Sequence, residues 1–352
     1  MPFSELIGQD RALGHLRSAL ARGALHHAYL FGGPEGVGKA TAARLLAQAG
    51  NCEAPEPERP CGACPPCRKI ARSNHPDVLE LAEERVMARQ GRWEPRGGRT
   101  PSKDIVVDQI RDLVDHRLAL RRFEGRRRFV VIDPADAMNP QAQNALLKSL
   151  EEPPDDTTFV LVASNPDLLL PTIRSRCARV AFAPLGERAI AGRLAEEEVA
   201  EEDALLAAAL SGGSLARARE VAAQIARERK EDGVAMEGAV EDAARLDPDD
   251  AATWIAFAAR HGKSRELARE TCQLLLVWLR DVLAVLAAGE GAALALGRAA
   301  GSTRAAARAL GPAAVARRVG LAGDAVEALK QNAAPALALE RMLIGWFHGA
   351  RG

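Results

Sequence analysis

Along the first half of the chain, short uninterrupted apolar runs alternate with stretches of helical period. The runs at 27–31 (HAYLF), 77–81 (DVLEL), 128–133 (RFVVID) and 159–164 (FVLVAS) read as strands, with a short last one at 180–182 (VAF). Continuous β-branched and aromatic runs, unlike alternating ones, suit strands covered on both faces. Helical spacing recurs at 40–48 and 105–120. Strands alternating with helices predict an α/β core around a doubly wound parallel sheet. Beyond about Pro184 the strand signals stop. Residues 186–245 read as short helices broken at SGGS (211–214). An Ala/Leu/Arg-rich helical region then follows Asp247-Pro248, a helix-start signal. Trp254, Trp278 and Trp346 mark that region as packed helices. The expected domains are 1–184, 185–245 and 246–352. The polar stretch 86–103, with Gly and Pro and no period, reads as a flexible surface excursion.

Charge and composition narrow the picture. Lys+Arg and Asp+Glu are both 47 in 352 residues, which excludes a globally basic nucleic-acid coat but not a local basic patch. Aromatics are 4% with Tyr29 the single tyrosine, against the base-stacking platforms of single-strand binders. No stretch is expected to reach the roughly 20 apolar residues of a membrane span, and MPFSELIGQD lacks a signal-peptide pattern. A soluble, cytoplasmic protein with no membrane partner is expected.

Two motifs carry nucleotide chemistry. Gly33-x-x-x-x-Gly38-Lys39, with Gly36 inside it, follows the first strand and opens a helix: the Walker A spacing. Glycines let the backbone curl so that N–H groups at a helix start face a phosphate, and Lys39 would reach the β/γ-phosphates. Position 40 is alanine, where the motif wants a Ser or Thr ligand for Mg²⁺. Thr41 points about 100° further around the helix and substitutes poorly. The run 128–133 ends in Asp133, the Walker B pattern for the Mg²⁺ shell. Its neighbour is Pro134, not the glutamate that activates water. ATP or ADP binding is therefore expected to survive better than Mg²⁺ binding, and hydrolysis to be very slow or absent.

Four of the six cysteines, Cys52, Cys61, Cys64 and Cys67, fall within 52–67 with C-x8-C-x2-C-x2-C spacing. Thiolates bind Zn²⁺ tetrahedrally, and four ligands close the site, so a structural zinc is expected. Cys177 and Cys272 read as ordinary buried thiols.

Taken with NALLKSLEEPP (144–154), TIRSRC (172–177) and IGQD (7–10), these motifs resemble the clamp-loader branch of the AAA+ family, over about half the chain. The resemblance implies an AAA+ core with a zinc module, a small helical lid and a helical collar. It makes Ser164 with Asn165 the first sensor, and Arg176 of Ser175-Arg176-Cys177 an arginine finger for a neighbour's ATP. A guanidinium suits that task because it stays charged and spans two phosphate oxygens. The same arginine, without the motif, would read as half of a surface ion pair. Arg217 falls one residue later than the family's G-S-x-R spacing for the second sensor. Lys148 becomes a candidate for DNA phosphates, whereas Arg121-Arg122 and Arg126–Arg128 read as a solvated flank. Implied partners are the gamma/tau and delta subunits of the loader, the sliding clamp and primed DNA. An active ATPase subunit of the gamma/tau type and a nucleotide-free zinc scaffold stay open as rivals.

Overall fold

Every apolar run expected to be a strand is one. The computed structural model describes residue 3 and residues 6–56, 58–231 and 238–348. It divides into two compact units, Met1–Gly186 and Glu187–Gly352. In chain order the first unit comprises α1 (Asp10–Ala21), β1 (Ala28–Gly32), α2 (Lys39–Asn51), α3 (Pro65–Ala71), β2 (Val78–Leu81), α4 (Glu84–Arg89), α5 (Val107–Arg111), β3 (Arg128–Ile132), α6 (Pro140–Glu151), β4 (Thr157–Ala163), α7 (Pro171–Arg176) and β5 (Ala178–Ala181). The sheet is wholly parallel, in the order β2-β3-β4-β1-β5.

Side chains of a strand alternate between faces, and here both faces are apolar. Leu30, Val130, Ile132 and Leu161 pack with Ile110, Leu146 and Ile173 on one side. Tyr29, Phe31, Phe129, Val131 and Val160 pack with Leu16, Leu46 and Ile70 on the other. All of β3 and β4 is buried, which is why the sequence shows runs and not alternation. Burying each such side chain contributes about 1.5–3 kcal/mol.

Two expectations need correcting. The helix expected over 105–120 is α5 followed by a π-helical turn, Asp112–Arg117. The segment expected to be a flexible excursion is organised by one buried carboxylate. Glu84, fully buried, accepts from Arg99 Nη1 (2.6 Å) and Nη2 (2.7 Å), Trp93 Nε1 (3.1 Å) and the Ser102 amide (2.8 Å).

Described residues of the second unit form helices only: α8 (Glu187–Glu196), α9 (Glu201–Leu210), α10 (Leu215–Glu231), α11 (Gly238–Ala244), α12 (Ala251–His261), α13 (Arg265–Ala288), α14 (Ala300–Ala309), α15 (Pro312–Lys330) and α16 (Pro335–His348), with short turns between. Trp278 and Trp346 are buried in it, and Trp254 stacks on Phe347 at 4.9 Å. Contrary to expectation, α13 is long and apolar enough to cross a membrane by length and composition, with mean hydropathy 1.7 over its most apolar window. More than half of that window is buried, and Asp281 within the helix accepts from the Leu296 amide at 2.9 Å. That burial is the pattern of a core helix.

Candidate functional site

The loop between β1 and α2 lies at the carboxyl end of the sheet, where it curls as the glycine spacing requires. Gly33 (φ +150°) leaves no room for a side chain: a Cβ would sit 2.2 Å from the Phe182 carbonyl oxygen. Gly38 (φ +100°) caps α2, and a Cβ there would meet Leu6 at 2.3 Å. Gly36 also adopts a positive φ. Gln9, from the IGQD segment, fastens the loop. Its Nε2 donates to Val37 O (3.3 Å) and Ala183 O (2.8 Å), and its Oε1 accepts from Ala183 N (3.2 Å).

Lys39 is buried within this curl. Its Nζ donates to Gly33 O and Pro34 O at 2.5 Å and to Ser164 Oγ at 3.4 Å. Burial pulls its pKa down, and Asp133, Asp136 and Glu35 work against that. Asp133 directly follows β3 and interacts electrostatically with Lys39. Burial raises the Asp133 pKa, with Lys39 opposing. The predicted Walker A lysine, Walker B aspartate and first-sensor serine are thus brought together.

Two further residues of the loop region stand as follows. Asn165 spends its side-chain oxygen on the Asp167 amide (3.2 Å). Ala40 is exposed and offers no oxygen. With one carboxylate from Asp133 and no hydroxyl at position 40, the chain offers Mg²⁺ one protein ligand fewer than the motif calls for, so the residues present fit that ion poorly.

Asp136, three residues beyond Asp133, takes a part that the sequence did not assign to it. Its Oδ2 accepts from the Ser164 and Asn165 amides at 2.9 and 2.7 Å. It ties the turn after β3 to the end of β4 through that one oxygen. The only signal in the sequence is its place three residues after Asp133.

Arg176 lies at the opposite end of the sheet. It ends α7, two residues before Ala178, which pairs with Tyr29 near the start of β1. Its Nη1 donates to Thr172 O at 2.9 Å, and its Nη2 meets Glu151 Oε1 at 2.5 Å. Arg217 lies in the first turn of α10 in the second unit, where Nη1 pairs with Glu220 at 3.3 Å.

The four cysteines converge near that same end. Cys52 follows α2 directly, Cys64 caps α3 and Cys67 lies inside it. Their sulfurs all lie within 4.8 Å of one another, with Cys64 Sγ and Cys52 Sγ 3.9 Å apart. A tetrahedral zinc–thiolate site has sulfurs about 3.8 Å apart, so the set fits a metal ion. The Cys61 and Cys64 amides face Cys52 and Cys61 sulfurs at 3.4 and 3.3 Å. Hydrogen bonds from Cys64 and Ala63 amides pull the Cys61 thiol down to about 7, towards the thiolate a metal needs. Burial pushes Cys52 and Cys67 up. Cys177 and Cys272 lie apart from the cluster, and burial pushes each thiol to about 12.

In the basic stretch leading into β3, Arg121, Arg122 and Arg126 are exposed as expected, whereas Arg128 is buried. Buried Arg128 donates to the Leu118 (3.1 Å) and Leu120 (2.7 Å) carbonyls, and Arg122 pairs with Asp156 at 2.8 Å. Asp77 gathers the Phe123, Glu124 and Gly125 amides at 2.7–3.1 Å. Lys148 is exposed on α6.

Comparison with known proteins adds the following. A family model described as "DNA polymerase III, delta subunit" matches residues 8–186. The chain is 39% identical over 208 residues to the DNA polymerase III subunit delta' of Pseudomonas aeruginosa, covering 58% of each. It is 34% identical over 204 residues to the DNA polymerase III subunit tau of Escherichia coli, covering 57% of this chain and 29% of that one. The chain therefore spans less than two thirds of the relatives it matches. A DNA polymerase III gamma subunit-related protein of Thermotoga maritima, solved as a crystal structure, covers 96% of this chain and 99% of its own at 18% identity, with a TM-score of 0.38.

Proposed function

Because the chain belongs to the DNA polymerase III delta subunit family, we propose that it is a delta-prime-type subunit of a clamp loader, inert as an ATPase, that supplies Arg176 to a neighbour. One observation carries this reading: the two catalytic parts sit at opposite ends of one sheet. Lys39, Asp133 and Ser164 gather where β1, β3 and β4 end, and Arg176 stands before β5 begins. Five strand residues span about 16 Å, more than an arginine side chain can reach. Any phosphate Arg176 serves must then come from another molecule.

The chain's own site supports the other half. Pro134 offers no proton acceptor and Asp136 is tied to Ser164 and Asn165 amides, so no base stands ready for water. Lys39 and the loop amides would still hold an ATP or ADP phosphate. In a neighbour's site the Arg176 guanidinium would offset the charge that develops on the transferred phosphoryl group.

Cys52, Cys61, Cys64 and Cys67 would hold a structural Zn²⁺. Such an ion supplies a crosslink between the end of α2 and the start of α3 and leaves no open position for catalysis. The second unit is read as a lid to residue 245 and a collar from 246. Its partners would be gamma/tau-type and delta subunits, acting with them on a sliding clamp and primed DNA in the cytoplasm. A reconstituted complex tests this reading. The isolated chain should turn over ATP negligibly, and Arg176→Ala should depress ATP turnover only in the assembled complex. Brisk Mg²⁺-dependent turnover by the chain alone would instead favour the gamma/tau-type reading.

A further inference from the structure

We propose that Glu151 is a positioning residue that holds Arg176 in reserve until a more highly charged phosphate displaces it. The inference rests on the reading that Arg176 serves a neighbour's nucleotide. Both terminal nitrogens of Arg176 are engaged within the chain, Nη1 by the Thr172 carbonyl at 2.9 Å and Nη2 by the Glu151 carboxylate at 2.5 Å. These are helix ends: Glu151 is the last residue of α6 and Arg176 the last of α7. The His27 ring faces the backbone of both Leu150 and Arg176, so the two ends are held side by side.

A guanidinium acts as a finger through its charge, and a carboxylate against it cancels most of that charge locally. The pair is nevertheless open to exchange. The Arg176 and Glu151 side chains are 33% and 47% exposed, and ion pairs this accessible are weak. A polyphosphate carries more charge than one carboxylate and presents two oxygens to the fork, so it wins when docked alongside. Arg174, one turn position away on the same short helix, is paired with Asp167 instead and does not compete for Glu151.

The test is a double-mutant cycle in the reconstituted loader, reading ATP turnover against the concentration of this chain. Glu151→Gln keeps the shape and removes the charge. It should lower the concentration needed for half-maximal stimulation by about two- to fivefold, as expected for losing one exposed ion pair. In an Arg176→Ala background the same change should do nothing. If Glu151→Gln matches or falls below wild type while Arg176→Ala depresses turnover, the reserve role is wrong and the finger stands. A gain that persists without Arg176 would show an effect on the interface and also overturns the proposal. If Arg176→Ala is itself silent, the finger reading fails and takes this one with it.

Discussion

The two ends of the parallel sheet follow opposite rules. At the carboxyl end the backbone is shaped for a phosphate, with Gly33 and Gly38 where no side chain fits and Lys39 turned inwards. Yet the side chains that would complete a hydrolytic site are absent, since positions 40 and 134 are alanine and proline. At the amino end a partly exposed arginine sits on a helix end, paired with Glu151. A parallel sheet separates its ends by the strand length alone. On the proposed reading, a cradle at one end and a charged donor at the other serve different molecules.

That contrast can be broken or sharpened by experiment. The largest expected effect is at the cysteines. Fresh protein should carry about one zinc ion per chain, and Cys64→Ser should release it. Unit one should lose on the order of 3–5 kcal/mol, a fall in Tm of about 10 °C. Metal analysis of unchelated protein that finds no zinc would remove the module from the account.

Next comes Glu84. Its replacement by Ala should cost about 3 kcal/mol, because Trp93 Nε1 and the Ser102 amide lose their acceptor. Chemical denaturation would measure this. A cost near zero would mean the 84–103 segment is held some other way.

A smaller effect concerns pH. Burial pushes the Glu84 and Asp77 carboxyls up, but hydrogen bonds override it and hold both below the usual carboxylate range: Ser102, Arg99 and Trp93 on Glu84, and the 123–125 amides on Asp77. The stability they contribute is present above the unfolded value near pH 4 and is lost as pH falls through the lower folded value. Unit one should weaken progressively below about pH 4. Glu84→Gln should flatten that dependence, and an unchanged slope would show that Glu84 plays no part in it.

Smallest of all should be Lys39→Ala. Nucleotide binding by the isolated chain should fall, while turnover by the complex stays within about twofold of wild type. A large loss in the complex would mean that the carboxyl end is catalytic after all.

Much of this was legible in the sequence, for a physical reason. Strands buried on both faces must be apolar throughout, so 128–133 and 159–164 stood out, and the phosphate loop and cysteines are defined by spacing over few residues. What escaped depended on where the chain returns. Nothing near Glu84 in the sequence says that Arg99 and Ser102 fold back onto it, and Asp136 gains its role only when β4 ends beside it. The 105–120 period predicted one helix because periodicity does not register the extra residue of a π-helical turn. Arg176 was marked by its motif, but its pairing with Glu151 needed α6 and α7 to finish side by side.

The most direct test sets Arg176→Ala against Lys39→Ala in otherwise identical reconstituted complexes, with ATP turnover measured in the presence of clamp and primed DNA. Fingers of this type contribute on the order of 10³–10⁵ in rate at a single site, and the loss should be smaller here because other sites persist. The account predicts a clear fall for Arg176→Ala, with assembly and zinc content unchanged, and near-wild-type turnover for Lys39→Ala. The reverse pattern, with Lys39→Ala depressing turnover and Arg176→Ala silent, would contradict it.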